Sequence, residues 1–465
     1  FVRDSMGIWV GDNSGQALNM ISGNVDDGVE IQGSNVAVSG CFILGNYIGV
    51  GSNGLSRIPN GDDGVLLFSN CVQNAIGSTN VNGRNVISGN LGCGVKLEQG
   101  PAGNWLYGNY IGVGRDGLTA VANAEFGVLV VGHTIGNLIG DATFPGSGNL
   151  ISGNGASAAW GGVGLYDGVT DTTLSRNAIG LDANGMALPN QGDGIRIVNA
   201  NSNYVGNSVS ASCNFISGNN GDGIQLGTNA NHNKVLNNYI GVDTNAARAI
   251  PNAGEGVFIF RSTDNIIGTN GARNVLSGNQ GSGVKISDSL QSHGNLVSGN
   301  RIGTDLSGTT RIGNSDNGVL IYESPSNSIG GAFEGNTISG NDKNGIQIDG
   351  LGAEGNRIFN NVIGTDPFVT TVISNGWDGI AVYGAPGNVI GDAGIFGNTI
   401  CGNGEYGVFL TQVGASGNCV WGNRIGVNSS GAAVPNGRSG VVCHNGANNN
   451  LIGSTNLSQR NIIAY

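Results

Sequence analysis

The chain has 465 residues, of which 87 are glycine and only 9 proline, with 38% hydrophobic and 11% charged residues. Its net charge is −12, and the basic residues form no run or stripe, which excludes the electrostatic footprint of a nucleic-acid binder. Regularly recurring Ile and Val argue against disorder, the lack of a Gly-X-Y period against collagen, and the lack of an apolar run of about 18 residues against a membrane-spanning helix.

From the N-terminus onward, three short patterns alternate. The first is Gly-Val/Ile-x-aliphatic, read as opening at Gly7 and recurring at Gly28, Gly64, Gly94 and onward to Gly440. The second is an Asn-x-Ile/Val segment, as at Asn74, Asn137, Asn265 and Asn388. The third is Asn-x-Ile followed by a small residue, running from Asn19 through Asn46, Asn85 and Asn109 to Asn461, with Leu276 as the one non-Ile aliphatic. Each segment alternates inward apolar with outward variable residues, the period-two signature of strands, and is too short for a helix. Gly and Asn punctuate every corner.

These repeats predict an all-β fold: a single-stranded right-handed parallel β-helix (solenoid) of about fifteen three-strand turns. Its two-turn super-repeat is roughly 62 residues, and turns about 4.8 Å apart give a rod of roughly 70 Å. A single domain spanning 1–465 is expected, possibly a segment of a longer protein, because Phe1 is preceded by no Met or apolar leader and no cap covers either end. One kind of turn carries a long loop after its Asn-x-Ile strand, such as Gly49 to Gly64; the other has a short Ser-Gly-Asn corner there. The third-pattern Asn is expected to be structural. Asn tolerates left-handed backbone at a corner, and its amide can bond the equivalent amides above and below in a ladder.

At these residues the chain resembles the right-handed parallel β-helix repeat proteins of the pectin-lyase-like superfamily, through the runs Asn85–Leu97 and Gly299–Gly308. The resemblance covers essentially the whole chain. It implies the solenoid, and with it either a polysaccharide lyase, epimerase or hydrolase, or a surface protein without chemistry. The family's Tyr-Gly-x-Asp-Pro-His epimerase run and the paired-Asp, Gly-His-Gly and Arg-Ile-Lys hydrolase set are absent from this sequence.

Register predicts neighbours. The outward row of the glycine-led strands places Lys96 between Leu66 and Leu129, Lys285 between Phe258 and Leu320, and Arg196 between Gly164 and Gln225. No charged neighbour falls one turn away in that row, so no acid/base pair is expected on this face and no catalytic, cofactor or metal residue is assigned. Every second turn is apolar there, and the next outward position follows with Phe68, Val131, Val198, Phe260, Tyr322 and Tyr383. The long loops are expected to fold back over these ribs; a ribbed apolar face for a partner is the alternative.

Asn60-Gly61-Asp62-Asp63 reads as turn chemistry. Asp182, Asp243 and Asp305 open short acidic loop runs that hint at calcium, with Asx-type turns preferred and no cofactor expected. Tyr47, Tyr110 and Tyr239 read as corner packing. His133, His232, His293 and His444 read as solvated. The seven cysteines, odd in number and without a CxxC pair, read mostly as buried thiols.

The function expected is a non-enzymatic extracellular or cell-surface rod, structural or adhesive. The alternatives are a polysaccharide lyase, epimerase or hydrolase, and a glycan-binding module. The partners expected are further copies, end to end or side by side, and polysaccharide; neither nucleic acid nor a membrane span is expected.

Overall fold

The computed structural model describes residues 1–15, 18–209, 212–288, 291–392, 394 and 396–464. Tyr465, where the last turn is expected to close, lies outside the described residues. Contacts divide the chain into two compact units, Phe1–Tyr239 and Ile240–Tyr465.

In the first unit a glycine-led sheet runs through strands such as Val65–Cys71, Val95–Glu98 and Val128–Val131. A middle sheet runs through Ala75–Gly77, Trp105–Tyr107 and Leu138–Ile139. An Asn-x-Ile sheet runs through Val86–Ile87, Tyr110–Ile111 and Leu150–Ile151. The second unit repeats the three, for example in Ile346–Asp349, Arg357–Ile358 and Val362–Ile363. Strands pair in parallel with those three places earlier and later in the chain. This is a parallel β-solenoid, as expected. Among the described residues there is no α-helix, only the single 3-10 turns Val81–Gly83 and Leu457–Gln459.

The core of each unit is an aliphatic column. In a single turn Val95, Leu97, Leu106 and Ile111 are all 0% exposed. Close stacking explains the glycine that leads each first strand. A Cβ on Gly94 would lie 2.5 Å from Ile111 Cγ2 and 2.6 Å from the Gly127 carbonyl.

The Asn ladder is present. Asn85 Nδ2 donates to Asn109 Oδ1 at 2.9 Å, Asn109 Nδ2 to Asn149 Oδ1 at 3.0 Å, and Asn149 Nδ2 to Asn177 Oδ1 at 2.9 Å. Two further ladders stand at the other corners. One joins Asn60, Asn90, Asn123, Asn154, Asn190 and Asn219. The other links Asn74, Asn104 and Asn137 at the start of the middle strand. There Thr172 takes the Asn place: its backbone N–H reaches Asn203 Oδ1 at 3.0 Å, but its buried hydroxyl has no partner.

Two expectations are corrected. Gly7 does not open a glycine-led strand, because the run from Gly7 to Asn19 is too short to hold a middle strand as well. Trp9 lies in the middle sheet opposite Phe42, while Val2–Arg3 is the first glycine-led-sheet strand. The long loops also do not cover the apolar ribs. Each closes as a small antiparallel hairpin, Val50 against Arg57 and Val113 against Ala120, over the Asn-x-Ile sheet. Val50, Val86 and Val121 cluster there with Tyr47 and Tyr110, so the corner packing expected of these tyrosines is found. Successive loops bond each other, Arg115 N–H to the Gly54 carbonyl at 3.0 Å and Ala183 N–H to that of Gly117 at 2.9 Å. Rib residues such as Leu66, Phe68, Phe258 and Phe260 remain half-buried.

Candidate functional site: an aromatic and acidic groove

The register expected for the cations is found: Lys96 stands between Leu66 and Leu129, and Lys285 between Phe258 and Leu320. The absence of carboxylate neighbours is not. Acids reach these cations from adjoining columns. Lys96 Nζ lies 2.9 Å from Glu98 and 3.9 Å from Asp63. Lys285 pairs with Glu255 at 3.2 Å, and Arg196 with Asp193 at 2.7 Å.

The residue before the leading glycine forms a bonding column of its own. Asp27 accepts the Asp63 N–H at 2.9 Å, and Asp63 that of Cys93 at 2.7 Å. Asn344 accepts the Asp378 N–H at 3.1 Å, and Asp378 that of Tyr406 at 2.9 Å. Asp63 therefore spends its carboxylate on the next turn of the solenoid, instead of on the local turn expected of it. Burial pushes the Asp63 carboxyl up to about 7 and that of Asp27 to about 6.

In the loops, Asp182 accepts from the Asn184 and Met186 N–H groups, and Asp305 from those of Thr309 and Thr310, as Asx-type turns require. Elsewhere Asp26, Asp27 and Asp62 bring carboxylate oxygens within 4.8 Å of one another. Of the cysteines, Cys41, Cys71, Cys93 and Cys401 are buried and Cys443 is exposed.

On the glycine-led face of the second unit the outward row reads Gln347, Ala381, Phe409, Val442. Ala381 is fully buried; its methyl leaves a dip where its neighbours present longer side chains. The same row in the first unit dips at Gly164, and there the chain fills the space itself. A Cβ on Gly164 would meet Tyr166, Leu129 and Phe126 within 3.1 Å, and Phe126 packs edge-on against Trp160 with ring centroids 5.5 Å apart. Ala381 is covered too, but space stays open on either side of it, beside Phe409 and Val442 and beside Leu320 and Gln347. A hollow of about 410 Å³ is walled by Trp377, Asp378, Glu405, Tyr406 and Arg438 on the corner side and by Tyr383 and His444 on the other, with Phe409 and Val442 below. A second hollow of about 290 Å³ shares Trp377 and Tyr383 and continues past Gln347, Asp349, Lys343 and Asp316.

The walls are rigid and amphipathic. Tyr406 stacks on Phe409 with centroids 5.2 Å apart, and Phe409 meets Tyr383 edge-on at 6.1 Å. Lys343 pairs with Asp316 at 2.8 Å and lies 5.7 Å over the Trp377 ring. Arg438 pairs with Glu405 at 3.7 Å, donates to the Tyr406 hydroxyl at 3.3 Å and lies 5.6 Å from the centre of its ring. Burial raises the Asp378 carboxyl to about 6, and Glu405 adds to the shift while Tyr406 N–H and Arg438 oppose it. Burial likewise raises Asp349, with Gln347 opposing.

His444 is exposed, as expected, and stands as a wall of this groove. Outward-row reading captured Leu320, Gln347, Tyr383 and Phe409 but assigned them no shared site. It missed Trp377, Asp378, Glu405, Tyr406 and Arg438, which lie in the corner columns. Reading those columns turn by turn, like the strand rows, would have found them. A separate apolar slot of about 260 Å³ lies on the middle sheet of the first unit, between Phe42 and Trp105 over Ala75, edged by Tyr107 and Phe144.

No family model matches the chain, and no curated protein matches it. Solved structures similar to it include the periplasmic alginate epimerase AlgG, 13% identical over 89% of this chain and 73% of that one, with a TM-score of 0.35. The Azotobacter vinelandii mannuronan C-5 epimerase AlgE4 A-module is 12% identical over 94% and 91%, with a TM-score of 0.33. The Dettilon tailspike protein is 16% identical over 92% and 61%, with a TM-score of 0.31. Similarity this slight carries no argument about function. No helix among the described residues is long and apolar enough to cross a membrane.

Proposed function

We propose that the protein is an extracellular or surface-displayed β-solenoid that holds polysaccharide in the groove formed by the hollows either side of Ala381, an adhesive rather than a catalytic role. The carrying observation is that open hollows flank the turn of Ala381, lined by Trp377, Tyr383, Tyr406 and Phe409, whereas around Gly164 the side chains of Phe126, Leu129 and Tyr166 close in. Aromatic faces match the apolar C–H faces of sugar rings, and the carboxylates and Arg438 on the rim match their hydroxyls. The two hollows follow one another across successive turns, which suits a linear chain of sugars. A glycan array with the intact protein tests this. Binding that is lost in Trp377→Ala supports the reading, and no binding to any glycan sinks it.

A second reading is glycoside cleavage. It is favoured by one observation: Asp378, with its carboxyl raised to about 6, lies near a second acid, Glu405. A protonated acid beside an ionised one is what bond cleavage between sugars requires. Release of reducing ends from an array-positive glycan, abolished in Asp378→Asn, would establish it; intact glycan after prolonged incubation would dismiss it.

A further inference from the structure

The groove carries an uneven charge. Its lining holds the acids Asp316, Asp349, Asp378 and Glu405 against the cations Lys343 and Arg438. Both cations are already held, Lys343 by Asp316 and Arg438 by Glu405 and the Tyr406 hydroxyl. Asp378 and Asp349 have no ion pair among the described residues. Each uses one oxygen internally, for the Tyr406 N–H at 2.9 Å and the Gln347 amide at 3.1 Å. Asp378 is only 4% exposed, so bulk solvent screens it weakly.

The rings work in the same direction. An aromatic face attracts cations, and here Trp377 and Tyr406 already draw Lys343 and Arg438 from the rim. A ligand entering between them meets the Asp378 and Asp349 carboxylates, the first partly offset by Arg438, and the aromatic wall of Trp377 and Tyr406. A uronate meets repulsion from the same groups, within a chain of net charge −12.

Resting on the glycan-groove reading above, we propose that the groove is selective for glycans bearing free amino groups, that is hexosamine oligomers whose ammonium groups pair with Asp378 and Asp349. A neutral sugar of the same shape retains the ring contacts and lacks the ion pairs.

The test is calorimetric titration of the whole chain at about pH 6, where amines carry a proton and an entering ammonium draws Asp378, whose carboxyl burial raises to about 6, into its charged form. Three probes of equal length are compared: a glucosamine hexamer, its N-acetylated counterpart and a galacturonate hexamer. The glucosamine hexamer is expected to bind at least about tenfold more tightly than the acetylated one. The gap is expected to close in the double variant Asp349→Asn/Asp378→Asn and to narrow with added salt. Acetylated or galacturonate hexamer binding as tightly as the amine would overturn the charge selectivity while leaving the groove reading intact. Amine binding that persists unchanged in Trp377→Ala would also overturn it, as mere attraction to the acidic surface. If none of the three binds, this inference falls, and the glycan array decides whether the groove reading falls with it.

Discussion

Asn177 Nδ2 donates to Asn214 Oδ1 at 3.0 Å, across 37 residues of sequence and one turn of the solenoid. The same amide donates to the Ile139 carbonyl at 2.7 Å and accepts the backbone N–H and the amide of Asn149 at 3.1 and 2.9 Å. Every polar atom of this buried side chain is therefore satisfied by protein. Asn177→Ala leaves the Asn149 backbone N–H and one of its two amide hydrogens without an acceptor, while the Ile139 carbonyl keeps the Ser175 N–H, a loss expected to be about 1–3 kcal/mol. The exposed Asn220 makes one side-chain bond, to Gln191 at 3.2 Å, and Asn220→Ala should change stability by less than about 0.5 kcal/mol. Amide hydrogen exchange on the strands either side of residue 177 reads the difference locally. Equal protection in both variants would contradict the ladder as a source of stability.

Thr172 interrupts the middle-strand ladder with an unpartnered hydroxyl. Thr172→Asn should restore the continuous column, since Asn137 and Asn203 above and below already present amides. The expected gain is about 1 kcal/mol, read as a higher urea midpoint. A lower midpoint would mean the site lacks room for the larger side chain.

The raised carboxyl of Asp63 makes stability depend on pH. Its value of about 7 in the folded chain stands above the ordinary aspartate value of 3.8. Between the two values the folded state holds a proton that the unfolded state has released, so stability falls as pH rises from about 4 to 7 and then levels. Asp63→Asn keeps an acceptor for the Cys93 N–H, as Asn344 does for Asp378, and removes the titration. The variant should gain on the order of 2 kcal/mol over the parent at pH 8 and nothing at pH 4. Paired denaturation curves at those two pH values check it, and a parallel displacement at both would be the wrong result. Lys96, close to Asp63, opposes the shift and sets the upper limit on the gain.

For the groove, Trp377→Ala removes one aromatic wall and should weaken glycan binding about 5- to 30-fold, corresponding to about 1–2 kcal/mol. Trp105→Ala, on the middle sheet of the other unit, should leave that binding within about twofold. Titrating both variants with the same oligosaccharide separates them; the opposite ranking would move the binding site to the slot beside Phe42.

The strand columns were legible because parallel stacking brings every Asn-x-Ile copy into register, so neighbours such as Leu66, Lys96 and Leu129 follow from counting. The second ladder was not. Its asparagines alternate between a Ser-Gly-Asn corner, as at Asn90, and the end of a long loop, as at Asn123, and no single motif joins the two. Trp9 was misplaced because Gly-Ile-x-Val suits either of two sheets, and only the short interval to Asn19 decides between them. The groove was hidden for a different reason. Trp377, Asp378 and Tyr406 sit at corners, where side-chain direction depends on local backbone rather than on period-two alternation.

The hydrogen bonds from Arg115 to Gly54 and from Ala183 to Gly117 join hairpins that belong to every second turn. Excising or inserting one turn would set a hairpin over a bare Ser-Gly-Asn corner and orphan its backbone amide. Lengthening or shortening this molecule without penalty thus proceeds in pairs of turns, and repeat number in its descendants should change by even steps.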